Sequence, residues 1–509
     1  MSTLIPVGAF TPDDPDYMDG GVTTATNVVP KVRSYGPFPD FQTATGAATA
    51  RIQGFAAFRA TNGNFAGFAG DATKLYRIDL TNSNLTDVSR TTGGAYATAA
   101  SGTWEFTQFI DSGGNNYVIA VNGVDAPQKF NIDSDTNFSA LAASAPIGTY
   151  LATIKRFCFM GNIATAPNTI QWSPIDSPTG TWGTDVTTQA DFQGFADSGQ
   201  IQGIGGADSI LVIQQEGVKR GDYVGPPTVW DFSEIAHDVG ATIAGSTAFW
   251  GPLAFFVHRS GFYMVTGGQT IQPIGDQKIN KFFWEDPVFG IDQSQVSRVT
   301  AAIDPINSLY IIFYRAQNNW AILGYSWTLD RWVYIQPTMD LEGVWSGIAQ
   351  SSYTLDTIDN YLGGMYNLDT IPFTLDSDFL VGTPRPLLTG ADTTHKIGYF
   401  NGPNLAATVD TTETQMFDGL RAFVRRLRPV VSSGTSSAVS GTPSVALGTR
   451  NVQTEAPTFT AAVSADASGR CAFRSNARYH RARIMMPRGA TWTHIQGIDS
   501  VEATRAGWR

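Results

Sequence analysis

The sequence predicts an all-β chain with three parts. These are an extended N-terminal arm, a β-propeller-like body of about six to seven small antiparallel sheets, and a C-terminal β-sandwich-like domain. Three observations predict it. Glycine is abundant (52 residues), aromatics make up 12% and charged residues only 15%. That composition favours many short strands punctuated by turns. Triplets of short apolar runs separated by turn residues recur along the chain. Finally, their spacing is about 40 to 55 residues, as expected for propeller blades.

Residues 1–45 read as the arm. "TPDDPDYMDGG" (11–21) is acidic and has no period. "NVVPKVRSYGPFPDF" (27–41) carries three prolines, which favour extended chain. The arm is expected to dock on a neighbouring subunit, with Tyr35 and Phe38 as interface residues, so that its removal impairs assembly and leaves the monomer folded.

The body is placed at 46–345. "LAFFVHRSGFYMVTGGQTIQPIG" (253–275) shows the repeating unit plainly, with turns at Arg259–Gly261 and Gly267–Gly268 between three apolar runs. Similar units begin near residues 65, 117, 156, 209 and 308. In the unit at 116–133, Asn122 and Gly123 supply a hairpin signal. Runs such as Leu309–Tyr314 are apolar at every position, which requires both sheet faces to be covered. Six units are visible, and a seventh is expected from another part of the chain. A set of β-sandwiches is the competing architecture.

Residues 346–410 are read as a connector. Tyr-Thr-Leu-Asp-Thr-Ile at 353–358 is echoed at 366–371 and again at 374–377, a period too short for a blade. Asp356, Asp369 and Asp376 there read as turn caps. Residues 411–509 form the C-terminal domain. In "RAFVRRLRPVV" (421–431), alternation puts Phe423 and Leu427 with Arg421 and Arg425, opposite Val424, Arg426, Arg428 and Val430. In "YHRARIMMP" (479–487), Tyr479, Arg481, Arg483 and Met485 share one face, and His480, Ala482, Ile484 and Met486 the other.

Charge is segregated. Residues 421–509 hold 13 arginines, no lysine and four acidic residues, a balance of +9, and the remaining 420 residues hold 20 basic and 40 acidic ones, a balance of −20. This asymmetry predicts a different partner or surface role for the basic end, with a separate domain that is basic for no such reason as the alternative. Arg425, Arg426, Arg428, Arg478, Arg481 and Arg483 are the candidate interface cations. An acidic neighbouring subunit suits them better than nucleic acid, because they sit on an acidic chain.

Catalytic chemistry finds no footing. The five histidines (237, 258, 395, 480 and 494) have no metal-type pairing. "GIGGAD" (203–208) lacks dinucleotide spacing, and "NIDSDTNF" (131–138) lacks the glycine and glutamate of a calcium loop. "SPIDSPTGTW" (173–182) partly resembles the Asp-box turn of sialidase propellers, with Asp176, Gly180 and Trp182, but no carboxylate pair can be selected. Cys158 and Cys471 read as reduced and buried. No signal peptide and no membrane span are expected. No catalytic residue, metal or cofactor is assigned.

Several phrases, in order, resemble the tail nozzle (packaged-DNA stabilisation) proteins of short-tailed bacteriophages. They are "NVVPKVRSYGPFPDF", "IQWSPIDSPTGTW", "VIQQEGVKRGDYVGPPTVWDFSEI", "GFYMVTGGQTIQPIGDQKINKFFW", "AAIDPINSLYIIFY", "SWTLDRWVYI" and "GRCAFRSNARYHRARIMMPRGATWTHIQGI". The resemblance implies a virion structural protein without enzymatic activity, assembled in the host cytoplasm. It implies a ring, usually a homohexamer, below the tail adaptor and portal proteins, with tail fibre or spike as further neighbours. Double-stranded DNA would be retained by the ring and pass through it. An acidic lining would keep phosphate from sticking. Two readings compete: a tail-associated glycan-binding or glycan-cleaving propeller, and a tube or hub subunit of a long-tailed phage.

Overall fold

The computed structural model describes residues 4–14, 21–80, 83–99, 101–349, 385–417, 419–432, 439 and 441–507. The repeat at 353–377 lies outside them. Seven four-stranded antiparallel blades follow one another, six of them separate sheets and the sixth in order part of a larger sheet. Blade 1 runs from Gly54–Arg59 to Asn84–Asp87, blade 2 from Glu105–Ile110 to Ser139–Ala140 and blade 3 from Gly148–Ile154 to Asp191–Gly194. Blade 4 runs from Ile201–Gly206 to Val229–His237, blade 5 from Ala248–Trp250 to Thr270–Pro273 and blade 6 from Thr300–Asp304 to Arg331–Ile335. Blade 7 contains Leu341–Ala349, Arg385–Asp392, Lys396–Tyr399 and, as its outermost strand, Gln42–Ala47. The first strand of each blade packs beside the first strand of the next, and that of blade 7 beside that of blade 1. The result is a closed propeller.

The seams explain the sequence. In Asn116–Val121, Val118 and Ala120 enter the cluster shared with blade 1, while Ile119 and Val121 enter the one shared with blade 3. Phe157 and Phe159 face blade 4, and Cys158 and Met160 face blade 2. Ile210 and Val212 face blade 3, and Leu211 and Ile213 face blade 5. Successive side chains point to opposite faces, so a strand buried by two neighbours must be apolar throughout. Each such side chain contributes about 1.5–3 kcal/mol by burial.

The apolar runs near residues 65, 117, 156, 209, 253 and 308 are the second strands of blades 1 to 6. The inner strands precede them and are rich in Gly, Ala and Thr. Gly205 shows one reason: a Cβ there would stand 2.4 Å from the Phe249 ring on the inner strand of blade 5. Blade 7 corrects the expected boundaries. It draws strands from both sides of residues 345 and 346, and Gln42–Ala47 crosses the limit set between arm and body.

The C-terminal domain is a two-sheet sandwich. One sheet has the order Cys471–Ala477, Ala422–Ser432, His494–Arg505, Ser34–Pro37, Val28–Lys31, with Ile5–Pro6 also on His494–Arg505. The other continues blade 6: Arg331–Ile335 pairs with Ala25–Thr26, followed by Ala407–Asp410, Tyr479–Met486 and Ser444–Arg450. Propeller and sandwich thus share one 13-stranded sheet. One hydrophobic cluster runs from Phe255 and Tyr310 through Trp332 to Ile484 and Trp492. Asp40, fully buried, braces the junction by accepting from Arg488 (2.7 Å), Thr338 N (3.2 Å) and Phe41 N (2.9 Å).

The N-terminal segment is extended, but it lies on its own chain. Tyr35 is fully buried and its hydroxyl donates to the Gly8 carbonyl (2.9 Å). Phe38 packs edge-on against Phe400 (5.7 Å between centroids). Both are core residues here, which corrects their assignment as subunit-interface candidates. Their neighbours in sequence already fill strand positions within the monomer. Truncating residues 1–45 therefore strips strands from the sandwich and from blade 7.

Closure of the ring depends on Gly398, where a Cβ would stand 2.1 Å from the Gln42 carbonyl oxygen. Gly398→Ala is expected to cost about 1–3 kcal/mol and to free the Gln42–Ala47 strand. Thermal unfolding together with hydrogen exchange at residues 42–47 checks this; unchanged protection there would contradict it.

Candidate interaction surface and central channel

The six arginines singled out from sequence separate into two groups. Arg483 is held within the chain: its guanidinium forms a bidentate pair with the fully buried carboxylate of Asp410 (2.7 and 2.9 Å) and donates to Thr24 (3.0 Å). It also lies over the Phe459 ring at 4.0 Å. Arg481 is buried over the same ring at 5.3 Å. Arg478 is half-buried with its Nε enclosed. Arg481 and Arg483 are thus packed within the sandwich, which corrects their assignment to a subunit interface, while Arg478 keeps part of its surface exposed.

Arg425, Arg426 and Arg428 are exposed. Bulges at Val424–Arg426 and Arg426–Arg428 break the simple alternation, so Val424 and Leu427 both turn inward. That differs from the sequence expectation, which set them on opposite faces. An inserted residue shifts every later side chain to the other face. Cys471–Ala477 alternates cleanly, with Cys471, Phe473, Ser475 and Ala477 buried and Ala472, Arg474 and Asn476 exposed. Arg426 lies opposite Ala472, so Arg474 joins the same outer face. The period-2 pattern of "CAFRSNA" carried that signal. Glu502 tempers the patch, lying 3.8 Å from Arg426 and 3.3 Å from Arg470.

On the core side, His480, Ala482, Ile484 and Met486 are all buried, as the alternation predicts. Nearby, Arg450 and Glu413 form a buried pair at 2.5 Å.

The inner strands of the blades enclose a channel of about 950 Å³. Thr107, Thr153, Gln202, Thr247, Thr300 and Ser346 supply neutral polar groups to its wall. Hydrogen bonds cross between blades there, among them Thr107 to Thr153 (3.0 Å), Tyr150 to Gln202 (3.3 Å) and Thr247 to the Gln202 carbonyl (3.3 Å). Glu105 also lines it, and burial pushes its carboxyl up to about 7. The major groove of a DNA duplex alone is about 12 Å wide, so this channel is far too small to pass one.

The acidic motifs weighed for chemistry are turns. Asp176 is ion-paired with Arg156, and the Trp182 indole donates to the Pro178 carbonyl (2.9 Å). Asp133 accepts from Thr61 and Asp135 from the Asn131 amide. Among the described residues no group of three or more His, Cys, Asp or Glu side chains converges as a metal site. His258 bridges Glu216 (3.2 Å) and Ser260 (2.7 Å) across the seam of blades 4 and 5. None of these residues lines the channel or the other hollows described here.

No protein-family model matches the sequence, and no curated protein matches it. Three solved structures align with it at low similarity. The extracellular domain of the hybrid two-component system BT4673 from B. thetaiotaomicron is 9% identical over 80% of this chain (TM-score 0.38). The chain spans 42% of that domain's length. A functionally unknown protein from Desulfotomaculum acetoxidans is 9% identical, over 61% of this chain and 98% of its own (TM-score 0.32). The Cps50 (Swd1) β-propeller domain of Myceliophteria thermophila is 8% identical, over 71% and 98% respectively (TM-score 0.38). The architecture rests on the chain's own strand pairing.

His480 gives this domain a pH dependence. It is 2% exposed, neither ring nitrogen has a hydrogen-bond partner among the described residues, and burial lowers its pKa from 6.5 to about 4. The unfolded chain takes up the proton first. Its contribution is full above 6.5 and is lost as pH falls towards about 4, a total of about 3 kcal/mol. His480→Leu is expected to narrow the gap between denaturant midpoints measured at neutral and mildly acidic pH; an unchanged gap would contradict this.

Proposed function

We propose that this chain is a structural subunit of a phage virion, forming the ring-shaped nozzle of a short tail. It would retain packaged double-stranded DNA and conduct it during ejection. The observation that carries this reading is the ordered succession of nozzle-like phrases spread from residue 27 to residue 498. The fold is compatible with it: rigid closed sheets, with no converging metal ligands among the described residues. DNA would pass between subunits of a homo-oligomer, because the propeller's own channel is too small. Arg425, Arg426, Arg428 and Arg474 would meet an acidic face on a neighbouring copy or on an adaptor protein.

One surface favours the alternative of glycan binding. Trp250 is 47% exposed and, with Trp327 and Leu253, flanks a hollow of about 560 Å³. Thr266 reaches both this hollow and an adjoining one that contains Gln272. Aromatic faces beside polar groups suit sugar rings.

Negative-stain imaging of the purified protein distinguishes the two, with closed rings expected. Exposed ion pairs contribute at most about 1 kcal/mol to stability. Reversing Arg425, Arg426 and Arg428 to glutamate should therefore leave the melting temperature nearly unchanged while abolishing ring formation or attachment to the tail. Monodisperse monomers that bind host envelope polysaccharide would overturn the reading.

A further inference from the structure

The channel wall has an unusual charge distribution. Glu105, at the start of the inner strand of blade 2, is the only acidic or basic side chain lining it among the described residues. No hydrogen bond or ion pair to its carboxylate exists among the described residues. The other titratable group in the wall is the Tyr150 phenol of blade 3, which burial and then the nearby Glu105 push up. Arg51, Arg298 and Glu342 influence one another electrostatically, but none of them lines the channel and none shifts Glu105. Burial alone raises Glu105, although some of its surface remains open to the cavity. An ionised carboxylate held there without a partner is costly, and an unpaired buried polar group calls for an explanation.

We propose that the propeller channel binds a small, singly charged organic amine that also carries hydroxyl groups, with its ammonium on Glu105. One carboxylate neutralises one positive charge. A divalent ion would require several carboxylate or carbonyl oxygens converging within 2.3–2.6 Å or less, and the wall offers a single acid. A bare alkali ion leaves most of about 950 Å³ empty, whereas pockets of ~300–1,000 Å³ fit compact organic ligands. The neutral lining fits the rest of such a molecule. Thr107, Thr153, Gln202 and Thr247 can exchange hydrogen bonds with hydroxyl groups.

The site is independent of ring assembly, so its failure and that of the nozzle reading are separable. Titration calorimetry of the full chain with ethanolamine and with 1-amino-1-deoxysorbitol tests it, with ethylene glycol and sorbitol as uncharged controls. Both amines are expected to bind at about pH 8, where Glu105 is ionised, and the controls are not. Affinity should fall about tenfold or more at about pH 5.5, where the carboxyl is protonated. Glu105→Gln, which keeps the shape and removes the charge, should lose about tenfold or more at the higher pH with no loss of thermal stability. Failure of both amines to bind at about pH 8, equal binding by Glu105→Gln, or equal binding by the uncharged controls would each overturn the proposal. The pH series on the native chain decides it without any variant.

Discussion

The structure depends on closure of a ring of sheets, none of which can bury itself. A four-stranded antiparallel sheet with two apolar faces is not a stable object in water. Here every face is covered by the neighbouring blade, so the loss of one blade would expose two seams. The joint that closes the circle is blade 7, assembled from Leu341–Ala349, Arg385–Tyr399 and the distant strand Gln42–Ala47. Pairing chain ends about 350 residues apart in this way carries a loop-closure cost that grows only slowly with length. The return is a sheet without an open boundary between first and last blade.

That same return of the N-terminal segment fastens the sandwich. The residues before Gln42 add Val28–Lys31 and Ser34–Pro37 to one C-terminal sheet and Ala25–Thr26 to the other. Tyr334 pairs with Thr26, so hydrogen bonding passes from blade 6 into the sandwich without a break. The core follows: Phe262, Trp332 and Phe283 pack on one another in the same cluster that contains Leu447 and Ile498. A flexible linker would let the two parts reorient. A continuous sheet with a shared core and the Asp40 brace leaves them few ways to do so.

The fold class was legible because two-sided burial leaves a mark that any residue can read: Leu309–Tyr314 and Phe157–Met160 have no polar position at all. The inner strands were illegible for the converse reason. Packed close around a channel, they use glycine, alanine and threonine, as in "IQGIGG" (201–206), and resemble turns. The unit was therefore phased one strand late. Tyr35 and Phe38 misled because proline and glycine around them signal extended chain, and extended chain can pair at home as readily as with a neighbour. Arg483 misled because its partner Asp410 lies 73 residues away in sequence, and only the fold brings them together. Glu105 gave no signal, since one acid in "TWEFTQF" is ordinary until six other blades surround it.

The distribution of charge follows from these constraints. The blades spend their apolar residues on seams, and their turns are built from aspartates that accept backbone N–H groups, as Asp71, Asp111, Asp286 and Asp392 do. Turn chemistry thus makes the body acidic without any acidic site being selected. The sandwich builds its strands differently, with arginine at the outward positions of Ala422–Ser432 and Cys471–Ala477. Arginine covers apolar surface with its stem while keeping its charge in water, and it aligns with carboxylates in a fixed fork. The acidic ring and the basic face are therefore products of two ways of finishing a sheet. Held rigidly together by the shared sheet, they present opposite charges at fixed orientation, which is what a subunit needs if its copies or partners are to be set in register by charge.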